Sequence, residues 1–142
     1  MAIQAPMQTT VKKIYCGMFN RTIDLETYQI DDGSNIILHN SLKNFITGTM
    51  LRRAKGKKPP IVYEYKTISI DPTHCICQCT FTMMDYRVTE TGEASARTLN
   101  SPIAKDYPYI EAEKRAFDRA AITFFQLMVD GKRVYSDAEV GR

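Results

Sequence analysis

Between residues 74 and 88 the chain reads HCICQCTFTMMDYRV, and Cys75, Cys77, Cys79, Phe81 and Met83 occupy every second position. Successive side chains of a strand point to opposite faces, so this period belongs to a β-strand. Gln78, Thr80 and Thr82 take the other face, which fits a sheet with one side on a core and one nearer water. Cysteines two apart on a strand are separated by about twice its ~3.3 Å rise. That is too far to share a zinc ion, whose bonds to sulfur are about 2.3 Å. It also exceeds the Cβ separation of a disulfide, about 3.8 Å. The three cysteines therefore read as small apolar core residues in the reduced state.

The segments around this strand share its logic. Residues 61–70 (IVYEYKTISI) read as a strand joined to it at Asp71-Pro72-Thr73, and Thr89-Glu90-Thr91-Gly92 reads as a turn into a third strand at about 93–99. Three strands with short turns make an antiparallel meander. Upstream, 10–19 and 25–30 are rich in strand formers, Asp31-Asp32-Gly33-Ser34 is a turn, and 35–38 is a short strand.

Helical spacing appears twice. Leu42, Phe45, Ile46 and Met50 define a helix capped by Asn40 or Ser41 and ending near Ala54, ahead of Gly56 and Pro59-Pro60. After Pro108, a favoured first helical residue, Ile110, Phe117, Ala121, Phe124 and Met128 trace an apolar stripe. Glu111, Lys114, Arg115, Asp118 and Arg119 are expected to face solvent or a partner, and Asp130-Gly131 to end the helix. The fold class is α+β: an antiparallel meander packed with a long C-terminal helix and a shorter preceding one. One domain spans 10–130, between a loose arm at 1–9 and a frayed tail at 131–142. The chain's 142 residues suit one domain, and its 44% hydrophobic and 25% charged residues are ordinary for a globular one.

No stretch approaches the roughly 20 apolar residues of a membrane helix, and the opening MAIQAPMQTTVKK has no secretory pattern. With reduced cysteines, the expected location is the cytoplasm. The chain has two histidines, His39 and His74, neither with a companion at motif spacing, and no glycine-rich phosphate loop, HExxH helix or nucleophile elbow. Asp85, Glu90 and Glu93 lie near one hairpin, where acidic residues usually serve solvation. A non-catalytic protein without a cofactor is expected.

The net charge of +3 hides a local concentration. Arg52, Arg53, Lys55, Lys57 and Lys58 carry five positive charges within residues 51–58 with no negative one, so the remainder of the chain is net negative. Such a segment suits phosphate contacts, although Arg52 and Arg53 also complement a helix C-terminus and a basic loop also aids solubility. Tyr65 beside Lys66 and Tyr86 beside Arg87 supply aromatic faces next to cations, the ingredients of a stacking platform for unpaired bases.

Gly92-Glu93-Ala94-Ser95, then Asn100-Ser101-Pro102-Ile103-Ala104, then Ile110-Glu111-Ala112-Glu113-Lys114-Arg115-Ala116-Phe117-Asp118-Arg119-Ala120 resemble phage and prophage recombination proteins of the single-strand annealing superfamily. That group includes the Erf and Sak types and, remotely, the eukaryotic Rad fifty-two mediator. In many members a strand ends in Gly-(Asp/Glu)-Ala-Ser, and a helix follows with Glu-x-Arg-Ala-x-x-Arg-Ala. The resemblance implies a β-β-β-α core, homo-oligomeric rings or filaments, and single-stranded DNA held in a basic groove. By position Arg115 and Arg119 match the helix arginines, facing DNA or a neighbouring subunit. Many members carry a further basic residue where this chain has Ile122-Thr123-Phe124-Phe125, and this chain ends soon after the helix. Plain strand binding without annealing, or a small protein-interaction module, are the alternatives.

Overall fold

The computed structural model describes residues 8–54, 60–95 and 107–140, with the backbone alone for 53 and 54. The fold is α+β, and the described residues form two helices and mostly antiparallel strands in two sheets. Strands β1 (Thr10–Cys16), β2 (Arg21–Gln29) and β3 (Asn35–Ile37) precede helix α1 (His39–Ala54). Next come β4 (Ile61–Ile70), β5 (His74–Met83) and β6 (Tyr86–Ser95). Helix α2 (Pro108–Phe125) leads into three short strands, β7 (Leu127–Val129), β8 (Lys132–Arg133) and β9 (Tyr135–Ser136).

The smaller sheet has the order β4-β5-β6 and is antiparallel throughout. Its alternation is that of the sequence: Cys75, Cys77, Cys79 and Phe81 are buried on one face, and all four cysteines of the chain are free thiols. The turn between β5 and β6 is not where composition put it. The strands reverse at Met84-Asp85, with Met84 at φ 55°, and Thr89-Glu90-Thr91-Gly92 lies inside β6. Gly92 sits in a strand because α2 crosses it there: a Cβ on Gly92 would lie 2.3 Å from the Ala112 carbonyl oxygen and the Ala116 nitrogen. A glycine within a strand often marks such a close backbone approach.

The larger sheet has the order β8-β7-β1-β2-β3-β9, antiparallel except for the β3–β9 pair. Residues expected to fray after the helix are built into it. Gln126 takes a left-handed conformation (φ 56°) and ends α2, which turns Leu127 onto Cys16 of β1. Asp130 and Gly131, both at positive φ, then fold β8 back on β7, and β9 runs beside β3. Val134, Ser136 and Ala138 are buried. Ser136 Oγ accepts from the Glu139 N–H at 3.2 Å, so half of a capping-box arrangement forms there.

Helix α2 lies against the smaller sheet, touches α1 and meets β9. Phe117 and Phe124 pack on Phe81 with ring centroids 5.4 Å apart in each case, and Phe125 meets Phe45 of α1 at 5.5 Å. A helix enclosed on several sides cannot keep its polar stripe in water. Arg115 and Asp118, expected at the surface, are accordingly buried. Helix α1 buries Leu42 and Ile46, as its spacing requires, but its cap is remote: the His39 N–H donates to Asp137 Oδ1 at 2.8 Å, while Ser41 Oγ accepts from Glu26 of β2. Among the described residues no helix is long and apolar enough to cross a membrane.

Candidate nucleic-acid interface

Alternation in β2 leaves Thr22, Asp24 and Glu26 exposed while Ile23 and Leu25 enter the core. Helix α1 runs past this strand, and between them is a groove of about 540 Å³. Lys13, Arg21 and Arg52 supply its cations, Asp24 and Glu26 its carboxylates, and Thr22, Asn40, Ser41 and Asn44 its neutral polar groups. The half-buried Phe45 contributes an aromatic surface.

The cations are held loosely. Lys13 Nζ lies 3.4 Å from Asp24 Oδ1 in an exposed pair, which water screens to small effect. The Arg21 guanidinium stands 5.7 Å from the centre of the Phe19 ring. Arg52 Nη2 donates to Thr49 Oγ1 of its own helix at 3.4 Å. Exposed guanidinium and ammonium groups beside amides can bind phosphate oxygens without reading base sequence. Among the described residues its lining holds no histidine or cysteine.

Of the basic segment, Arg52 lines this groove; Lys55, Lys57 and Lys58, and the side chain of Arg53, lie outside the described residues. The two helix arginines have other occupations. Arg115 is 6% exposed, and its Nε donates to the Ala138 carbonyl at 2.8 Å while Nη1 donates to that of Glu93 at 2.7 Å. Arg119 Nη1 donates to the Thr91 carbonyl at 2.8 Å. Thr91 and Glu93 are alternate residues of β6, so their carbonyls point the same way. The two arginines thus bind successive carbonyls of that strand, and Arg115 also ties down the C-terminal segment. This corrects the expectation that Arg115 faces outward: it is buried, which also lowers its pKa, and it donates to two backbone carbonyls.

The expected stacking platform is divided. Tyr65 pairs with Cys79 and Tyr86 with Met83, so both tyrosines share the helix-facing side of the smaller sheet. Lys66 pairs with Gln78 and Arg87 with Thr82, on the opposite side. Adjacent residues on a strand face opposite ways, and a cation next in sequence to a tyrosine does not stand beside its ring. Tyr86 is further committed: its ring stacks on Phe124 at 4.9 Å and its hydroxyl donates to the Phe124 carbonyl at 3.3 Å. Tyr65 is 39% exposed on edge strand β4, and burial of the remainder, then the nearby Cys79, push its phenol pKa up.

The histidines are paired but not with each other: His39 with Asp118, and His74 with Glu93 at 2.6 Å. Among the described residues no group of three or more histidine, cysteine, aspartate or glutamate side chains is placed to hold a metal ion.

Sequence reasoning missed Lys13, Arg21, Asn44 and Phe45 as groove residues. Part of the signal was present, since Ile23 and Leu25 alternate with polar residues and would have begun the second strand earlier. The proximity of α1 to that strand was not legible. No family model, curated protein or solved structure matches the chain.

Proposed function

We propose that this protein is a non-catalytic single-stranded DNA-binding protein that anneals complementary strands and acts as a homo-oligomer. The observation that carries the reading is the groove between β2 and α1, in which Lys13, Arg21 and Arg52 converge with four neutral polar side chains and Phe45. Its Arg52 end leads directly in sequence into Lys55, Lys57 and Lys58. Cations for phosphates, amides without strong base preference and an aromatic edge are what sequence-independent binding of an unpaired strand requires. The resemblance to annealing proteins supports the reading through the scaffold: Gly92, Ala112 and Ala116 permit close helix–strand packing, and Arg115 and Arg119 fasten the strand. The β-β-β-α core and the cytoplasmic location belong to the same proposal.

Fluorescence-anisotropy titration of single- and double-stranded oligonucleotides over a salt series tests it. Tighter binding to single strands, falling steeply with salt and weakened in an Arg21→Ala/Arg52→Ala variant, is the expected result. Equal, salt-insensitive binding to both forms would leave a protein-interaction module as the better reading. If binding passes, annealing of complementary labelled strands is the second measurement.

A further inference from the structure

The smaller sheet has two edges of different character. On β6, Arg115 and Arg119 occupy the carbonyls of Glu93 and Thr91. On β4 no such arginine cover is seen among the described residues, and of its ten residues only Ile61 is buried. Val62, Tyr65, Ile68 and Ile70 are 42%, 39%, 47% and 62% exposed, an unusual apolar content for a strand edge open to water. Natural edges are commonly blunted by charge, bulges or cover. The irregularity in β4 falls between Thr67 and Ser69, which leaves 61–67 in regular register and available to another strand.

We propose that β4 pairs antiparallel with β4 of a second copy about a two-fold axis at Tyr65, joining two smaller sheets into one of six strands. Charge complementarity selects this register. Paired residues in an antiparallel ladder share the same orientation, so a two-fold axis between identical strands passes through a residue position. An axis at Glu64 would set Glu64 against itself, and an axis at Lys66 would set Lys66 against itself. An axis at Tyr65 sets Glu64 opposite Lys66 of the second copy twice over, on the solvent side of the sheet. It also sets Tyr65 against its own counterpart on the helix side and brings Val62 near Ile68 of the second copy. Opposite charges directly across a strand pair are favourable and like charges unfavourable. This pairing supplies a surface for the homo-oligomer proposed above but does not depend on DNA binding.

The test is charge exchange, read by sedimentation velocity without DNA, so that its outcome is separate from that of the strand-binding titration. Glu64→Lys and Lys66→Glu each create two like-charge contacts across the axis and should weaken self-association by at least about tenfold. The double variant Glu64→Lys/Lys66→Glu restores both pairs with the signs exchanged and should recover parental association. Both side chains are exposed, and circular dichroism checks that each variant folds. As an independent measurement, Tyr65→Cys should form an intermolecular disulfide under mild oxidation. A monomeric parent, single variants that associate as the parent does, or a double variant no better than the singles would overturn the proposal.

Discussion

His39 Nδ1 stands 2.7 Å from Asp118 Oδ1, linking the first residue of α1 to the interior of α2. Asp118 is fully buried and its second oxygen has no hydrogen-bond partner among the described residues. The backbone N–H of the same histidine donates to Asp137, so one residue is gripped by α2 and by the segment after β9. The contact joins parts of the chain 79 and 98 residues away and closes the fold around the N-terminus of α1.

Removing one member of a buried pair leaves the other desolvated without compensation. Asp118→Ala should therefore lower unfolding free energy by about 3–5 kcal/mol, and Asp118→Asn by less because an acceptor for His39 is retained. Urea unfolding at neutral pH gives both numbers. A loss under about 1 kcal/mol for the alanine variant would mean that the pair contributes little.

The C-terminal segment should show an inverted pH response. Burial raises the pKa of Asp137, opposed by the His39 N–H, and raises that of Glu139, opposed by Arg133 at 3.1 Å. An acid with a raised folded pKa keeps its proton more readily in the folded state than in the unfolded chain. Its contribution therefore favours folding at low pH and declines as pH rises from the unfolded value through the folded one. The unperturbed values are 3.8 for Asp137 and 4.5 for Glu139, so the decline begins there. Asp137→Asn should flatten this part of the stability–pH curve, as thermal unfolding between acid and neutral pH will record. A curve that steepens would show that the charged cap outweighs burial.

Gly92→Ala places a methyl group against backbone atoms of α2 that no side-chain rotation can move. Overpacking of this kind costs about 1–3 kcal/mol, sometimes more. The expected outcome is a lower melting temperature with Arg115 and Arg119 loosened from β6. Unchanged melting would mean that the helix shifts freely.

Strand binding should report the groove and the basic segment separately. The slope of log K against log salt changes by about 0.7 for each phosphate contact removed. Replacing Lys55, Lys57 and Lys58 by Ala should flatten it by about two units. Adding Arg21→Ala and Arg52→Ala should flatten it further without lowering stability appreciably. An unaltered slope in the lysine variant would make those residues merely solvating.

The thiols of Cys75, Cys77 and Cys79 should resist alkylation in the folded protein. Burial pushes the Cys79 thiol up to about 12, leaving almost no thiolate at pH 8. Mass spectrometry after a timed iodoacetamide pulse should find these three unmodified until denaturant is added. Rapid native labelling of Cys79 would contradict its burial.

The strands and helices that advertise themselves by period were legible. β5 follows from alternation, α1 and α2 from apolar spacing, because each of those patterns reflects a single buried face. The failures came where a residue answers to more than one neighbour. Gly92 resembled a turn residue, yet it is glycine because α2 passes over it; Met84-Asp85 lacked a glycine signal and made the turn. Residues 127–130 resembled the end of the helix and 131–142 a tail because strands of two or three residues carry too little pattern, and only pairing with β1 and β3 makes β7 and β9 strands. Sequence likewise determined that Arg52 belongs to a basic segment, but tertiary packing placed it with Lys13 and Arg21, distant in the chain. The same packing buried Arg115, expected at the surface, as a clamp on β6 and the C-terminal segment. Periodicity records whether a face is buried; which element buries it depends on contacts between segments that local sequence does not encode.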